Sequence, residues 1–141
     1  MERNDMKKHA YLIMAHTQPK LLKMLLKKLD DERNDIYLHI DSKAKDYPLD
    51  EVAAVLQKAK CVFTERTDVK WGSYSQINCE MVLLKEAIKC EHAYYHLLSG
   101  MDLPIKSQDE IHAFFEKYDG LEFVDEDLPE ISEAALSRVK Y

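Results

Sequence analysis

Short apolar runs alternate along the chain with segments of helical periodicity. The apolar runs occupy residues 9–16, 35–41, 61–64, 93–98 and 121–124. Each run is short enough for a buried strand, and the segments between them repeat apolar residues every three or four positions, as amphipathic helices do. The pattern therefore predicts the order β-α-β-α-β-α-β-α-β, with a further helix expected over residues 131–141.

Alternation at this spacing predicts a single α/β domain over residues 1–141. The expected sheet is mostly parallel, with right-handed crossovers and helices on both of its faces. Two of the helices open with a capping-box pattern, formed by Ser73 with Gln76 and by Ser107 with Glu110. No internal repeat, linker or low-complexity segment interrupts the alternation.

Composition and charge narrow the class of protein. The 141 residues are 46% hydrophobic and 33% charged, which is typical of a globular domain, and the net charge of −6 argues against broad nucleic-acid binding. The first eight residues are polar, and no run approaches the length of a membrane span. Three cysteines without metal-type spacing fit reduced thiols in a cytosolic protein.

The carboxyl ends of parallel strands meet at one edge of a sheet, and ligands bind there. The polar side chains expected at or beside that edge are His16, Asp41, Arg66 and Asp102, with Trp71 and Tyr74 in a neighbouring loop. Carboxylates accept hydrogen bonds from a ribose or a base, a cation contacts phosphate, and an aromatic plane stacks on a base. The combination suits a nucleotide.

Residues 99–102, Ser-Gly-Met-Asp, end the fourth expected strand and have two interpretations. Gly100 lacks a Cβ atom, so the backbone there can turn sharply or approach a ligand closely. Asp102 would then contribute a carboxylate to the ligand site. Alternatively, the segment is a tight turn that Asp102 caps through its own backbone.

Other candidates also keep a structural alternative. His39 and Asp41 share one face of their strand, which fits either a metal-binding pair or a structural histidine beside a ligand-binding aspartate. His16 could contact a phosphate or cap the following helix. Trp71 could be a base platform or a plug beneath its loop, and the residues alone favour the plug. The absence of a P-loop or GxGxxG motif argues against a dinucleotide.

Four segments in order carry a family resemblance. They are residues 11–16 (YLIMAH), 37–43 (YLHIDSK), 69–75 (VKWGSYS) and 97–106 (LLSGMDLPIK). In order and spacing, from His9 to about Val124, they resemble the N-terminal half of the Core-2/I-branching enzymes. These are inverting glycosyltransferases that include β-1,6-N-acetylglucosaminyltransferases and peptide O-xylosyltransferases.

The resemblance implies a GT-A-like (Rossmann-like) fold whose first half binds a nucleotide sugar, usually a UDP-sugar. With the residues at the strand ends, the expected donor-binding set is Ala15, His16, Asp41, Lys43, Arg66, Trp71, Gly72, Tyr74, Ser99, Gly100, Met101 and Asp102. Glu122 falls near a family glutamate that hydrogen-bonds the acceptor sugar. Members work without a metal, so no cofactor is expected besides the donor substrate.

The implied reaction is a direct displacement in which a glutamate deprotonates the acceptor hydroxyl and the anomeric carbon inverts. In the family this glutamate and the basic residues at the diphosphate lie in the second half, expected here beyond Tyr141. The expectation is therefore a donor-binding part, truncated at its C-terminus, that transfers GlcNAc or a related sugar to a glycan or polysaccharide only with the missing half. The surface left open predicts a homodimer.

Two alternatives come from other classes: a non-catalytic nucleotide- or sugar-binding module, and a metal-dependent phosphohydrolase built on His39, Asp41 and Asp102. The polar start of the chain suggests a bacterial, cytoplasmic enzyme, peripheral at the inner membrane, in capsule or lipopolysaccharide assembly. The sugar transferred, the acceptor and the linkage are left open by the sequence.

Overall fold

Four strands and four helices alternate in the computed structural model, which describes residues 8–123. The strands are β1 His9–Ala15, β2 Asn34–Ile40, β3 Lys60–Phe63 and β4 Tyr94–Ser99. The helices are α1 Pro19–Leu29, α2 Leu49–Ala53, α3 Tyr74–Ala87 and α4 Gln108–Lys117. All strand pairs are parallel, in the order β3-β2-β1-β4. The predicted α/β architecture, consistent with a GT-A-like domain, is confirmed.

The fifth strand expected over residues 121–124 is not formed where the structure describes that stretch. Residues 121–123 have no regular structure, and Val124 lies outside the described residues, as does the helix expected over residues 131–141. The ring of Phe123, the last described residue, packs 5.2 Å from the ring of Phe114 and 5.3 Å from that of Phe115. This stretch therefore packs as a tail on α4, because an alternating pattern does not itself supply a partner strand.

The helix starts agree with the sequence in one case and differ in the other. At α4, the side chain of Ser107 accepts from the backbone N–H of Glu110 and the Glu110 carboxylate accepts in return, so the capping box is confirmed. At α3, Ser73 is the N-cap residue, but the Gln76 side chain accepts from Gly72 N at 3.0 Å instead of from Ser73. The expected reciprocal box is therefore wrong at α3.

The sheet separates two apolar layers. On one face, α1 buries four leucines against β1 and β2: Leu22, Leu25, Leu26 and Leu29. On the other face, Cys79, Leu83 and Ala87 of α3 pack against Ala10 and Leu12 of β1. The apolar stripes of the helices thus pack against both faces of the sheet. None of the helices in residues 8–123 is long and apolar enough to cross a membrane.

Helix α4 docks on the sheet through three histidines. His9 Nδ1 lies 3.1 Å from His96 Nε2, and the rings of His9 and His112 are 4.1 Å apart. Burial, followed by the neighbouring His112 and His96, lowers the pKa of His9 to about 3, and burial lowers the pKa of His96 to about 4. The cluster is therefore neutral near pH 7 and packs with Phe115 as an aromatic layer.

Candidate functional site

The carboxyl ends of β1, β2 and β4 surround a cavity of about 520 Å³. Its wall is formed by Met14, Ala15, His16, His39, Asp41, Lys43, Val69, Trp71, Gln76 and Ser99. The structure thus brings together part of the predicted donor-binding set: Ala15, His16, Asp41, Lys43, Trp71 and Ser99. A parallel sheet collects these residues because the ends of its strands meet at one edge.

Gly100 lets the ends of β4 and β1 approach closely. Its N–H donates to Met14 O at 2.8 Å, and a Cβ atom at this position would lie 2.7 Å from the Cβ of Ala15. The close approach is therefore to the neighbouring strand end. The contact leaves Ser99 at the cavity wall.

Asp102 caps its own turn. Its Oδ2 accepts from Ser99 N at 2.7 Å, and its N–H donates to Ser99 O at 3.0 Å. The side chain borders a second, mostly apolar cavity of about 310 Å³ with Tyr11 and Phe115, while Met101 is 54% exposed. The capped-turn interpretation thus describes Asp102, and the structure places neither Asp102 nor Met101 at the wall of the first cavity.

Asp41 is the buried carboxylate of the cavity wall, at 4% exposure. Its Oδ1 accepts from Lys43 N at 2.8 Å, and its Oδ2 accepts from Val69 N at 3.3 Å. Burial alone would raise the pKa of Asp41, but these backbone donors and the Lys43 ammonium together leave that pKa lowered. The side chain therefore stays ionised and ties the end of β2 to the loop that follows β3.

Lys43 places a cation at the cavity. Its Nζ lies 2.7 Å from Asp68 Oδ1 and 3.3 Å from Asp41 Oδ2, and it also donates to Val69 O. The hydrogen bond to Asp68 raises the pKa of Lys43. The ammonium group is thus charged at neutral pH, and its three N–H donors face Asp68, Asp41 and the Val69 carbonyl at the exposed side of the cavity.

His16 lies exposed at the end of β1 and lines the cavity. The capping alternative for His16 is wrong, because Gln18 is the N-cap residue of α1, with φ 52°, and no side chain caps that helix. The ligand-contact alternative for His16 stays a prediction.

His39 is satisfied within the protein. Its Nε2 accepts from Thr67 N at 2.9 Å, so the ring proton of the neutral form lies on Nδ1, and burial lowers the pKa of His39. Within residues 8–123 no three His, Cys, Asp or Glu side chains are grouped for a metal ion. The set of His39, Asp41 and Asp102 required by the phosphohydrolase alternative is also not brought together.

Arg66, expected to contact phosphate, donates to the protein backbone. Its guanidinium bonds the carbonyl oxygens of Ile40 at 3.1 Å, Asp41 at 2.8 Å and Ala44 at 2.5 Å. These carbonyls lie at and just beyond the end of β2 and need donors that no neighbouring strand supplies. Arg66 is outside the cavity wall.

The remaining predicted residues also lie outside the wall. Gly72 forms a turn at φ 72°, Tyr74 is the first residue of α3 and is 74% exposed, and Glu122 is exposed beyond α4. Trp71, in contrast, lies at the wall of the cavity and is 83% exposed. The plug interpretation of Trp71 is therefore wrong, since a plug would be buried beneath its loop.

Met14, Val69 and Gln76 were missed as wall residues. Met14 pairs with His39 in the register of β1 and β2, so strand parity places both on the face that α3 covers. That signal was present in the sequence. Gln76 had none, because its place depends on how α3 crosses the sheet.

Comparisons with known proteins agree on one family. A family model described as Core-2/I-Branching enzyme matches residues 9–140. A human protein named beta-1,3-galactosyl-O-glycosyl-glycoprotein beta-1,6-N-acetylglucosaminyltransferase is 31% identical over 109 residues, which cover 72% of this chain and 25% of the human protein. The chain thus spans about a quarter of the length of this curated relative.

Proposed function

The chain belongs to the Core-2/I-branching enzyme family of glycosyltransferases, and we propose that it is the part of an inverting enzyme that binds a UDP-sugar. The observation that carries the proposal is the cavity at the strand ends, with Asp41, Lys43 and Trp71 in its wall. The transferred sugar is proposed to be GlcNAc or a related sugar, in line with the name of the human relative. The acceptor is proposed to be a glycan or polysaccharide.

Each wall residue has a proposed role toward the donor. The exposed ring of Trp71 stacks on the uracil, a contact worth about 1–3 kcal/mol per base. The ammonium of Lys43 is proposed to exchange its exposed partner Asp68 for a phosphate oxygen of the donor, and the proposed binding uses no metal ion. His16 and Ser99 border the same space and contact the ribose or the phosphates. Asp41 fixes the backbone that surrounds the nucleoside.

The chemical step needs a base that the described cavity does not offer. Asp41 is the carboxylate of its wall, and the lowered pKa of Asp41 makes it a weak proton acceptor. We therefore propose that the base is a glutamate beyond Tyr141, as the family resemblance implies, and expect this chain to bind donor without turning it over. The acceptor oxygen attacks the anomeric carbon, its proton passes to that base, and the bond to UDP breaks. Glu122 is proposed to contact the acceptor.

UDP is expected to quench the fluorescence of the chain, because its single tryptophan, Trp71, lies at the cavity. Calorimetry should give the same UDP affinity in EDTA and in excess Mg²⁺. Trp71→Ala should weaken UDP binding about tenfold, as loss of one stacking contact does. Tyr74→Ala is the matched control, since it removes an exposed aromatic side chain outside the wall and should leave affinity unchanged. Binding only in the presence of Mg²⁺ would contradict the proposal.

A non-catalytic nucleotide- or sugar-binding module remains the second candidate. The carboxylate of Asp41 favours this candidate, because it accepts from three donors of the protein and is therefore not free to act as a base. Sugar transfer by a longer chain that contains the same cavity and the following family sequence would exclude this candidate. The cytoplasmic, inner-membrane setting stays a proposal, and the human relative gives a bacterial source no support.

A homodimer is proposed across the face of β4 that α3 leaves uncovered. Tyr95 and Leu97 point to the α3 side and are 40% and 47% exposed. Met81 on α3 and Ile88, the C-cap residue of that helix, are 42% and 60% exposed. An apolar face beside an edge strand favours pairing with a second copy. Sedimentation should show a dimer at about 100 μM that Leu97→Glu dissociates. Met24→Glu, at a 55% exposed site on α1, is the control, and a monomer at that concentration would contradict the proposal.

A further inference from the structure

The loop between β3 and α3, residues 64–73, is bonded to the end of β2 along most of its first half. Arg66 donates to three carbonyl groups at and just beyond the end of β2. Thr67 follows with two bonds, because its N–H donates to His39 Nε2 at 2.9 Å and its carbonyl accepts from Ser42 N at 3.0 Å. A loop bonded at consecutive residues has one arrangement relative to the sheet.

The second half of the loop carries the aromatic group of the cavity. Val69 N donates to Asp41 Oδ2 at 3.3 Å, and two residues later Trp71 extends outward with 83% of its surface exposed. Gly72, with φ 72°, then turns the chain into α3. The Trp71 backbone is therefore held from two sides. Residues 66–69 bond the end of β2 upstream of it, and its neighbours Lys70 and Gly72 donate to Ser75 and Gln76 of α3.

We propose that Arg66 is a positioning residue of the donor site, which holds the 64–73 loop on the end of β2 so that Trp71 stays beside the cavity. The inference rests on the proposed function and assigns Arg66 a role that excludes contact with the donor phosphates. All three bonds of its guanidinium run to backbone oxygens, and Arg66 lies outside the cavity wall. A loop fixed in advance strengthens binding because less conformational freedom is lost on association.

The geometry requires arginine. The planar guanidinium has donors in a fixed fork, and here they bond the carbonyls of Ile40, Asp41 and Ala44 together. Lysine keeps the charge but ends in a single nitrogen on a flexible stem, so it cannot bond the same three oxygens in one arrangement. Arg66→Lys therefore separates the role of the fork from the role of the charge.

The test compares uridine with UDP as ligands of the chain and of Arg66→Lys. If Arg66 positions the loop, Arg66→Lys weakens both ligands by the same factor, about tenfold, because neither contact is made by Arg66 itself. If Arg66 binds phosphate, Arg66→Lys leaves uridine affinity unchanged and changes UDP affinity alone, which would overturn the inference. Lys70→Gln is the charge control for Arg66→Gln, because each variant removes one positive charge from the same loop. Lys70→Gln should leave the affinities for uridine and UDP unchanged, whereas Arg66→Gln should weaken both.

Two measurements on the ligand-free chain keep the inference separate from the proposed function. Amide hydrogen exchange at Ser42 and Val69 should accelerate in Arg66→Lys while exchange at Leu12 in β1 is unchanged, which excludes global unfolding. Acrylamide quenching and anisotropy of Trp71 should show a more mobile indole. If the wild-type chain binds neither uridine nor UDP, the proposed function fails. The exchange and fluorescence measurements still show whether Arg66 holds the 64–73 loop in place. Unchanged exchange and anisotropy would overturn the inference.

Discussion

Gly100→Ala is expected to lower the free energy of unfolding by about 2–3 kcal/mol. The added methyl group would lie 2.7 Å from the Cβ of Ala15, a separation that real Cβ atoms almost never show, and a tight 3.3 Å from its Cα. Ala15 belongs to the buried central strand β1, so it cannot move away cheaply. The strand ends would separate, and the bond from Gly100 N to Met14 O would lengthen.

The measurement is urea denaturation of four chains that form a double-mutant cycle. Ala15→Gly removes the atom that the new methyl group meets, so the double variant Ala15→Gly with Gly100→Ala should regain most of the stability lost by Gly100→Ala alone. The expected coupling is about 1–2 kcal/mol in the stabilising direction. Additive losses in the double variant would show that contact with Ala15 Cβ is not the reason for glycine at this position.

The same clash should reach the cavity. Ser99, next in the chain to Gly100, and Ala15 both line it, so a shift of either strand end alters the wall. Gly100→Ala is therefore expected to weaken UDP binding at temperatures where the chain remains folded. A glycine that first suggested close approach to a ligand thus acts by setting the distance between two strands.

The elements with a strong apolar signal could be predicted from the sequence. The runs around β1 and β2 are buried on both faces, so composition and length alone identify them as central strands. Helix α4 was recognisable from its capping box, because that motif is local. The stretch at residues 121–123 failed because alternation there has no partner strand among residues 8–123. Pairing is a property of the fold and is not encoded in one segment.

The site was predictable in its location and only partly in its members. The positions of His16, Asp41 and Ser99 at strand ends correctly predicted that they are neighbours, since the parallel topology fixes which ends meet. Arg66 was misassigned because a cation in a loop has the same appearance in sequence whether it meets a phosphate or backbone carbonyls. Asp102 differed for a similar reason, since its carboxylate accepts from a backbone N–H three residues earlier.

Asp41→Ala is expected to reduce UDP affinity by at least about tenfold and to destabilise the chain by about 3 kcal/mol. The carboxylate is 4% exposed and holds the backbone N–H groups of Lys43 and Val69 together with the Lys43 ammonium. Its removal leaves the N–H groups of Lys43 and Val69 without this acceptor and frees the loop that carries Trp71, while the Lys43 ammonium keeps Asp68. Asp41→Asn keeps the size of the side chain and one acceptor oxygen but loses the negative charge. Because charge-assisted hydrogen bonds are the stronger ones, we expect Asp41→Asn to lose most of the same stability.

The pH dependence identifies the charge as the cause. The pKa of Asp41 is lowered from the ordinary value of 3.8, so its contribution to stability is complete above that value and is lost as pH falls through the folded-state pKa. The stability difference between the chain and Asp41→Asn should be constant from about pH 8 to pH 5 and should shrink below about pH 4. Asp68→Asn is the control, because this exposed partner of Lys43 should contribute less than about 1 kcal/mol. Unchanged UDP affinity in folded Asp41→Ala would contradict placing the donor at the end of β2.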